Sequence, residues 1–467
     1  MKTTRPTLTR REFVHASSLA AGALVLPTFI PARVLGAHAP SKLINILQIG
    51  CGRIARGMDL PGLLAQERVR IVAVCDLDSI RATDTKRFVE EFYAKKNVRI
   101  EVATYVDYRE ALLRTDIDAV AISTPDHWHA QPIVDAARAG KDIYVQKPLT
   151  MTLREGRVVS DLIQAKRRVF QIGSQQRSAA NFRLACELVR NGRLGKLKTV
   201  KIGLPIDPSG PEEPEMPVPA NLNYERWLGP TPLVPYTENR VHSQNPDPKK
   251  RFGDRPGWLR IESYCLGMIT GWGSHHVDIA HWGMDTEHTG PVTIEGQAEF
   301  PKGGLWNVHG AYHIESRYAN GVTMVIDNTF PNGVRFEGTD GWLFVTRGTA
   351  DPARGNSKAL NASNPDILKT PLGSRALRLH ASENNDHHRD WINSIVTRRP
   401  AVTTPEIAQR STSACILAWI AMKLGRKLTW DPRNERFVDD AAADEMLTRA
   451  ERAPYGALAA AKAPTKK

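Results

Sequence analysis

The chain has 467 residues, of which 41% are hydrophobic and 24% charged, ordinary values for a soluble globular protein that is long enough for two domains. Its formal net charge is +13, but the basic residues do not cluster with aromatic ones, so nucleic acid is not expected as a partner. The five cysteines, an odd number without a C-x-x-C pair, do not form a disulfide framework and are expected to be buried thiols.

The first residues have the pattern of an export signal. The pair Arg10-Arg11 precedes an apolar run of small residues, 16–26, that is too short to span a membrane. This arrangement looks like a twin-arginine signal, and a disordered basic leader is the alternative. We therefore expect residues 1–39 to be removed, and the protein to be periplasmic and not attached to a membrane.

A phosphate-binding turn comes next. The apolar run 44–49 predicts a strand, and Gly50–Ala55 predicts a turn that opens a helix. Gly50 permits the tight turn, and Gly52 lets the backbone approach a pyrophosphate. Ala55 takes the third small position, where the helix packs on the strand. We expect the pyrophosphate of a dinucleotide at the N-terminus of this helix; a tight turn in another kind of α/β domain is the alternative.

An acid follows the second strand of this unit. The run 69–75 predicts that strand, and Asp76 comes directly after it, where it can accept hydrogen bonds from an adenosine ribose. A carboxylate there repels a 2′-phosphate, so NAD is the expected cofactor. Arg53 and Arg81 are near enough to leave NADP open as the alternative.

Strands alternate with helices as far as position 173, which predicts an α/β domain with a doubly wound parallel sheet over residues 40–173. In such sheets, ligands bind beyond the carboxyl ends of the strands. The turn Gly50–Ala55, Asp76, and the stretches Thr124–His129 and Gln146–Pro148 all follow predicted strands. Four loops are therefore expected to converge on one crevice.

The second half of the chain has a different pattern. Proline and glycine are dense in 205–256, which predicts long loops, and strand-like runs with short polar turns recur over 292–346. Such turns favour antiparallel hairpins. We assign 174–380 to a second domain, 381–457 to helices that pack back on the first domain, and 458–467 to a disordered tail.

Several side chains in this half are candidates for chemistry. The run 269–282 predicts a helix on which His275, Asp278 and His281 share a face. That face can relay protons, hold a substrate or bind a metal, and satisfied core histidines are the alternative. No metal is predicted. The other histidine pairs considered as metal ligands are His127 with His129 and His387 with His388.

A sugar site is predicted just before this helix. Trp258, Arg260 and Tyr264 combine aromatic rings with a guanidinium, a combination that suits a pyranose ring. A loop that is packed by its aromatic residues is an equal alternative.

Six stretches together resemble the Gfo/Idh/MocA oxidoreductases over residues 42–457. They are GCGRIA (50–55), TPDHWH (124–129), QKPL (146–149), GSQQRS (173–178), GWGSHHVD (271–278) and KLTWDP (427–432). The resemblance implies a dinucleotide-binding domain plus an α/β domain with a large, open, mostly antiparallel sheet. It also implies chemistry on sugars and cyclitols with NAD or NADP, and a homo-oligomer, dimer or tetramer, built on that sheet.

The same resemblance implies roles for individual residues. Lys147 hydrogen-bonds the reacting hydroxyl and the cofactor ribose, and Gln176 and Arg177 border the nicotinamide pocket. Lys147 and His275 are the predicted catalytic residues. The predicted cofactor-binding residues are Gly50, Gly52, Arg53, Ile54, Ala55, Asp76, Thr124, Pro125, His129, Gln146, Lys147 and Gln176. The predicted substrate-binding residues are Tyr264, Arg260, His276 and Asp278.

The chain departs from the family pattern at two positions. The Glu-Lys-Pro signature reads Gln146-Lys147-Pro148, and the Asp that precedes the signature histidine by four residues is replaced by Gly271 before His275. Both departures remove a carboxylate, which leaves room for changed acid–base chemistry.

Three functions follow as hypotheses. The first is oxidation of a hydroxyl of a sugar, glycoside or polyol, in which Lys147 and His275 remove the proton and a tightly bound nicotinamide takes the hydride. The second is redox-neutral cleavage of a glycoside by oxidation, elimination and return of the hydride, because an exported enzyme has no evident supply of free NAD. The third is a cofactor-bound sugar-binding protein without turnover.

Overall fold

The computed structural model of the protein describes residues 43–348 and 359–462. The predicted export signal at 1–39 lies outside these residues, as does the end of the predicted tail, 463–467. The described chain from Ile44 onward contains two sheets.

The first sheet has six strands, all parallel. They are β1 Ile44–Ile49, β2 Val69–Cys75, β3 Ala103–Tyr105, β4 Ala119–Ile122, β5 Asp142–Val145 and β6 Phe170–Ile172. Their order is β3-β2-β1-β4-β5-β6. The central strands are apolar runs buried on both faces, because helices cover both sides of the sheet. The predicted doubly wound parallel sheet is confirmed.

The helices of this half begin at recognisable caps. They are α1 Leu60–Leu64, α2 Ser79–Ala94, α3 Tyr108–Leu112, α4 Ala130–Arg138 and α5 Leu153–Ala165. The Asp78 carboxylate accepts hydrogen bonds from two backbone amides at the start of α2, and Thr152 with Glu155 forms a capping box on α5. A wide π-helical turn, Ala55–Asp59, precedes α1, and such turns are frequent at functional sites.

The second sheet has nine strands. They are β7 Leu197–Gly203, β8 Pro291–Ala298, β9 Tyr312–Tyr318, β10 Thr323–Asp327, β11 Gly333–Gly338, β12 Gly341–Val345, β13 Leu360–Ala362, β14 Leu428–Asp431 and β15 Arg436–Phe437. Their order is β13-β12-β11-β7-β10-β9-β8-β14-β15. Only β7 and β10 pair in parallel, so the sheet is mostly antiparallel, as expected. Along β9 the buried and exposed residues alternate, which leaves one face open.

Helices cover the other face of this sheet. They include α6 Ala180–Arg190, α9 Met268–Gly271 and α10 Gly273–Met284, and shorter helices, α7 Tyr224–Leu228, α8 Pro248–Gly253 and α11 Asp366–Lys369, lie in the connecting segments. The helix predicted over 269–282 is divided at Trp272. Glycines on both sides of Trp272 weaken the helix there, because each costs roughly 1 kcal/mol relative to alanine.

The C-terminal segment contacts the first domain and adds strands to the second sheet. Its helices are α12 His387–Thr397, α13 Pro405–Leu424, α14 Ala441–Glu445 and α15 Ala457–Lys462. α13 packs on α5 and also on β8, and β14 pairs with β8. The segment therefore packs back on the first domain, as predicted, but also completes the second sheet.

The predicted disordered tail is helical as far as Lys462. α15 packs on α4, Ala457 is buried, and the Arg138 guanidinium donates a 2.7 Å hydrogen bond to the carbonyl of Ala460. The prediction of disorder from 458 is therefore wrong for this part, because a run of alanines has high helix propensity and finds a partner surface.

The five cysteines are free and buried, as expected. The Cys51 thiol faces the carbonyl of Cys75 at 3.7 Å, and burial raises its pKa well above the usual value. Along the described residues, no helix combines the length and hydropathy needed to cross a lipid bilayer.

Candidate active site

A cavity of about 660 Å³ lies beyond the carboxyl ends of β1, β2, β4 and β5, a size typical of cofactor and ligand sites. The four loops predicted to converge meet here. Their lining residues include Gly50, Gly52, Arg53, Ile54, Asp76, Thr124, Pro125, His129, Gln146 and Lys147. The opposite wall comes from the second domain and includes Trp258, Met268, Trp272, His275 and Arg347.

The glycine turn has the geometry that a dinucleotide requires. Gly50 has φ +84°, and a Cβ there would lie 2.7 Å from the backbone of Ser123, so only glycine fits. A Cβ at Gly52 would meet no protein atom closer than 3.7 Å, which shows that the space in front of it belongs to the cavity. Ala55 is fully buried and lets the helix approach β1. These residues fit a pyrophosphate at the turn.

Asp76 stands at the end of β2 and is tied to this turn. Its carboxylate accepts a 2.6 Å hydrogen bond from the amide of Cys51 and a 2.8 Å bond from the amide of Asp78. Burial, together with the charge of Asp78, raises the pKa of Asp76 to about 6. Arg81 is buried beside Asp78 at 3.8 Å and donates to the carbonyl of Arg251, so it is already engaged. The site therefore favours a ribose with free hydroxyls.

A segment of the second domain crosses the crevice at this end; we call residues 219–258 the strap. The amide of Ser79 donates to the carbonyl of Asn221, and the Asn221 amide group donates to Asp78. His242 donates from Nε2 to Asp78 at 2.9 Å. Burial lowers the pKa of His242 to about 4, so the ring is neutral in this bond at neutral pH. The strap thus covers the part of the crevice that faces Asp76.

Lys147 lies at the end of β5 in the cavity wall. Burial lowers its pKa, and the nearby Asp126 carboxylate opposes that shift. Asp126 also lines the cavity, is itself buried, and has one carboxylate oxygen without a hydrogen-bond partner among the described residues. His129 joins the two loops, since its ring nitrogens lie 2.6 Å from the carbonyl of Pro148 and 3.1 Å from that of Thr124.

His275 faces Lys147 from the second domain. Burial and the neighbouring charges of Lys147 and Arg347 lower its pKa well below the usual value, so it is a neutral base at physiological pH. Its Nδ1 has no hydrogen-bond partner within the described part of the chain. Gln176 supports it, because its amide, in the orientation that satisfies both neighbours, donates to the carbonyl of His275 and accepts from Arg347 Nε.

Gln146 forms the cavity floor beside Lys147. Its amide donates to both carboxylate oxygens of Asp59, at 2.8 and 3.1 Å. Asp59 lies in the wide turn Ala55–Asp59 and is fully buried. A carboxylate is therefore present next to position 146, although the chain carries glutamine there.

Two predicted substrate residues on α10 lie outside the cavity. Asp278 is buried and forms a bidentate ion pair with Arg177, with N–O distances of 2.6 and 2.8 Å. Arg177 does not border the cavity either. His276 bonds Asn332 at 2.8 Å, and burial lowers its pKa to about 4. His281 bonds the hydroxyl of Tyr318. Because α10 is buried on all sides, these side chains are core groups, and the predicted shared face is wrong as a functional unit.

The predicted sugar site is divided in the same way. Trp258 lines the cavity, but Tyr264 is 1% exposed within a cluster that contains Trp227 and His127. The Arg260 guanidinium stacks on Trp306, 4.4 Å from the ring centre, away from the cavity lining. Tyr264 and Arg260 therefore pack their loop, which was the alternative reading.

The histidines considered for metal binding have other partners. His127 Nε2 bonds the carbonyl of Trp227, His387 lies between the Ser178 hydroxyl and the carbonyl of Ile172, and His388 faces Asp59. Over the described ranges, no group of three or more His, Cys, Asp or Glu side chains has a metal-binding arrangement.

Sequence reasoning missed three residues of this site: Asp59, Asp126 and Arg347. Asp126 lies inside the TPDHWH stretch, so its position after β4 was a usable signal. Asp59 is the single acid in an otherwise mostly apolar start of a helix, a weaker signal. Arg347 follows β12 and reaches the cavity only through the fold of the second sheet.

Comparisons with known proteins agree with this architecture. The Gfo/Idh/MocA model described as "Oxidoreductase family, C-terminal alpha/beta domain" matches residues 209–457. The companion model, described as "Oxidoreductase family, NAD-binding Rossmann fold", matches residues 44–174.

Curated relatives are similar over shorter stretches. An uncharacterized oxidoreductase, YrbE of Bacillus subtilis, is 31% identical over 184 residues, 39% of this chain and 47% of the relative. An alpha-N-acetylgalactosaminidase of Shewanella oneidensis is 30% identical over 168 residues, 35% of this chain and 36% of the relative. The matched stretches thus span less than half the length of these relatives.

Solved structures share the fold at low identity. The aldose-aldose oxidoreductase of Caulobacter crescentus has a TM-score of 0.57 at 16% identity, covering 83% of this chain and 99% of that one. The myo-inositol 2-dehydrogenase of Lactobacillus plantarum has a TM-score of 0.54 at 15% identity, with coverage of 83% and 99%.

Proposed function

Because the chain belongs to the Gfo/Idh/MocA oxidoreductase family, we propose that it transfers a hydride between NAD and a carbon that bears a hydroxyl in a sugar, glycoside or polyol. One observation carries the proposal. Lys147 and His275, two bases whose pKa values are lowered by burial, face the same cavity as a glycine turn that fits a dinucleotide. When bound, NAD⁺ would supply the hydride acceptor.

The chain's own residues handle the proton. Oxidation of an alcohol removes a hydride from carbon and a proton from oxygen, so a base must stand beside the hydroxyl. Lys147 can accept this proton because burial disfavours its charged form. His275, which is neutral and lines the same cavity, can hold the hydroxyl or share the proton. Asp126 stabilises the ammonium once Lys147 has been protonated, because the two groups attract each other.

Replacing Lys147 with alanine tests the assignment. We expect Lys147→Ala to lower kcat by about 10²- to 10⁴-fold, the usual loss for a general base, while NAD stays bound. The matched control is Lys201→Ala, since Lys201 lies on the open face of the second sheet and pairs with Glu337. Turnover is followed with a panel of sugars and glycosides, and NAD binding by fluorescence titration. Turnover retained in Lys147→Ala would refute the role of Lys147.

A second candidate function is redox-neutral cleavage of a glycoside. The similarity to an alpha-N-acetylgalactosaminidase favours it, and Gly271, which stands where the family pattern has an acid, leaves room for changed acid–base chemistry. In this reaction, a hydroxyl is first oxidised to a carbonyl, and the neighbouring carbon then loses a proton, which permits elimination of the aglycone. Addition of water and return of the hydride restore the sugar. The cofactor is unchanged after each cycle.

The same panel separates the candidates when the purified protein receives no added cofactor. Cleavage of a glycoside beyond one equivalent, without oxidised sugar, supports the redox-neutral reaction. Product that stops at one equivalent and resumes on addition of NAD or a second sugar supports a dehydrogenase. Sugar binding without any product supports a non-catalytic binding protein.

We also propose export and self-association. Arg10-Arg11 before the apolar run 16–26 supports a twin-arginine route to the periplasm, where a retained cofactor is an advantage. The open face of the second sheet supports a dimer or tetramer.

A further inference from the structure

Asp59 lies fully buried beneath the cavity and joins three segments of the chain. The Ser123 hydroxyl, at the end of β4, donates to its Oδ2 at 2.7 Å. The Gln146 amide, at the end of β5, donates to both oxygens. His388 Nε2, on α12, lies 3.3 Å from Oδ1. Asp59 therefore links two strand ends that form the cavity floor.

Close packing surrounds these groups. The Gln146 side chain lies against Gly173, where an added Cβ would be 2.9 Å from Gln146 Oε1. The His388 ring lies against Gly62, where an added Cβ would be 2.3 Å from His388 Nδ1. The two glycines thus leave room for the side chains that surround Asp59. Position 146 must therefore offer a donor, because the carboxylate next to it only accepts.

This explains the glutamine in the Gln146-Lys147-Pro148 stretch. A glutamate at 146, which the family signature has, would place two carboxylates within hydrogen-bond distance of each other, and like charges so close cannot both be ionised. Glutamine with Asp59 keeps one acid in the pair and also keeps the hydrogen bond.

We propose that Asp59 is a positioning residue for Lys147, and that Asp59 and Gln146 act as one exchangeable acid–amide pair. Lys147 directly follows Gln146, whose backbone N–H donates a 2.9 Å hydrogen bond to the carbonyl of Ile122. Fixing the Gln146 side chain to Asp59 fixes the strand end from which Lys147 reaches the cavity. Ser123 is held by the same carboxylate and precedes the Thr124 loop, so both loops depend on Asp59.

Charge exchange tests the pair. The variants are Gln146→Glu, Asp59→Asn and the double variant, which restores one acid and one amide in exchanged positions. We expect each single variant to lose about 10²-fold in kcat, the effect of misplacing a reacting group by about 1 Å. The double variant should recover most of that loss. Gln146→Glu alone should regain turnover as the pH falls, because one shared proton restores the hydrogen bond.

A matched control separates this effect from general damage. Gln171 is equally buried, on β6, and donates to the carbonyl of His387 rather than to Asp59. Gln171→Glu also buries a new carboxyl group, but its loss should not be rescued by Asp59→Asn. Thermal unfolding of every variant shows which of them fold.

The turnover readout rests on the proposed function, so NAD affinity is measured alongside it. If the wild type turns over none of the sugars, the proposed function fails. The NAD affinity of the double variant, compared with that of each single variant, then still tests whether Asp59 and Gln146 act as a pair. The inference is overturned if the double variant is no better than the poorer single variant in both readouts. It is also overturned if Asp59→Asn alone keeps the kcat and the NAD affinity of the wild type.

Discussion

At the scale of single residues, we expect Asp76 to decide which dinucleotide fits. Its carboxylate is fixed by the amides of Cys51 and Asp78 and faces the cavity, where a 2′-phosphate would meet its charge. We expect NAD to bind more tightly than NADP. Asp76→Ala should weaken NAD binding by about 10- to 100-fold, the usual value of one or two hydrogen bonds to a charged group. The same variant should also show a smaller preference for NAD over NADP.

Fluorescence titration with both dinucleotides checks this, with Asp161→Ala on the exposed face of α5 as the control. Since the pKa of Asp76 is raised to about 6, its charge is lost as the pH falls below 6. The preference of the wild type for NAD should therefore weaken from pH 8 to pH 5, whereas that of Asp76→Ala should not. A preference for NADP in the wild type would contradict the assignment.

Residues at strand ends could be predicted from the sequence more reliably than residues inside helices. Gly50, Asp76 and Lys147 each follow an apolar run, and in a parallel sheet every such position reaches the same edge. His276 lies next to His275 in the sequence, yet only His275 reaches the cavity. Which side of α10 faces the cavity depends on how it packs, because the helix is buried on all sides and its polar residues do not form one exposed face.

At the scale of elements, the strap, residues 219–258, covers the cofactor crevice. Its contacts with the first domain include the turn before α2, where Asp78 receives hydrogen bonds from both Asn221 and His242. Asp78 and His242 are buried, so these bonds are shielded from water. We expect these contacts to hinder the release of a dinucleotide bound against Asp76.

Removing one strap contact should therefore accelerate the release of NAD. We expect His242→Ala to release NAD about tenfold faster or more, because a hydrogen bond to a charged group contributes about 1.5–3 kcal/mol. The control is His313→Ala, since His313 pairs with Asp327 on the open face of the second sheet. Stopped-flow displacement of bound NADH gives the rate. Equal release rates in wild type and His242→Ala would show that the strap does not retain the cofactor.

Element boundaries in the second domain were harder to predict than in the first. β7 was not predicted, because its partners in the sheet, β10 and β11, are more than a hundred residues away. The β9–β10 and β11–β12 hairpins were predicted because short turns join neighbouring strands. Local signals thus identify hairpins, whereas a strand that pairs only with distant segments is fixed by the whole sheet.

At the scale of the whole molecule, burial of histidines links the fold to pH. Among the buried histidines of the described residues, six have pKa values that burial lowers to about 3 for His127 and about 4 for the others. The others are His242, His276, His281, His309 and His387. These histidines lie in both domains and between them. Protonation of any one of them therefore destabilises the same folded state.

The sign of the pH dependence follows from these shifts. A pKa lowered in the folded state means that the unfolded chain binds more protons below pH 6.5, so the stability present above pH 6.5 is lost as the pH falls toward 4. Asp76, with its raised pKa, acts in the opposite direction, but the six histidines outnumber it. Between pH 6.5 and 5 each histidine can contribute on the order of 2 kcal/mol.

We therefore expect the unfolding temperature to fall steeply from pH 7 to pH 5. His276→Gln keeps a donor for Asn332 but cannot be protonated, so it should reduce this fall. His313→Gln should not reduce this fall in the unfolding temperature. The Asp327 partner raises the pKa of His313, so protonation of His313 favours the folded state. Thermal scans of the three proteins at several pH values measure the effect. An unfolding temperature that is the same at pH 7 and pH 5 would mean that water reaches these rings, and that the two sheets do not close around them as tightly as their burial requires.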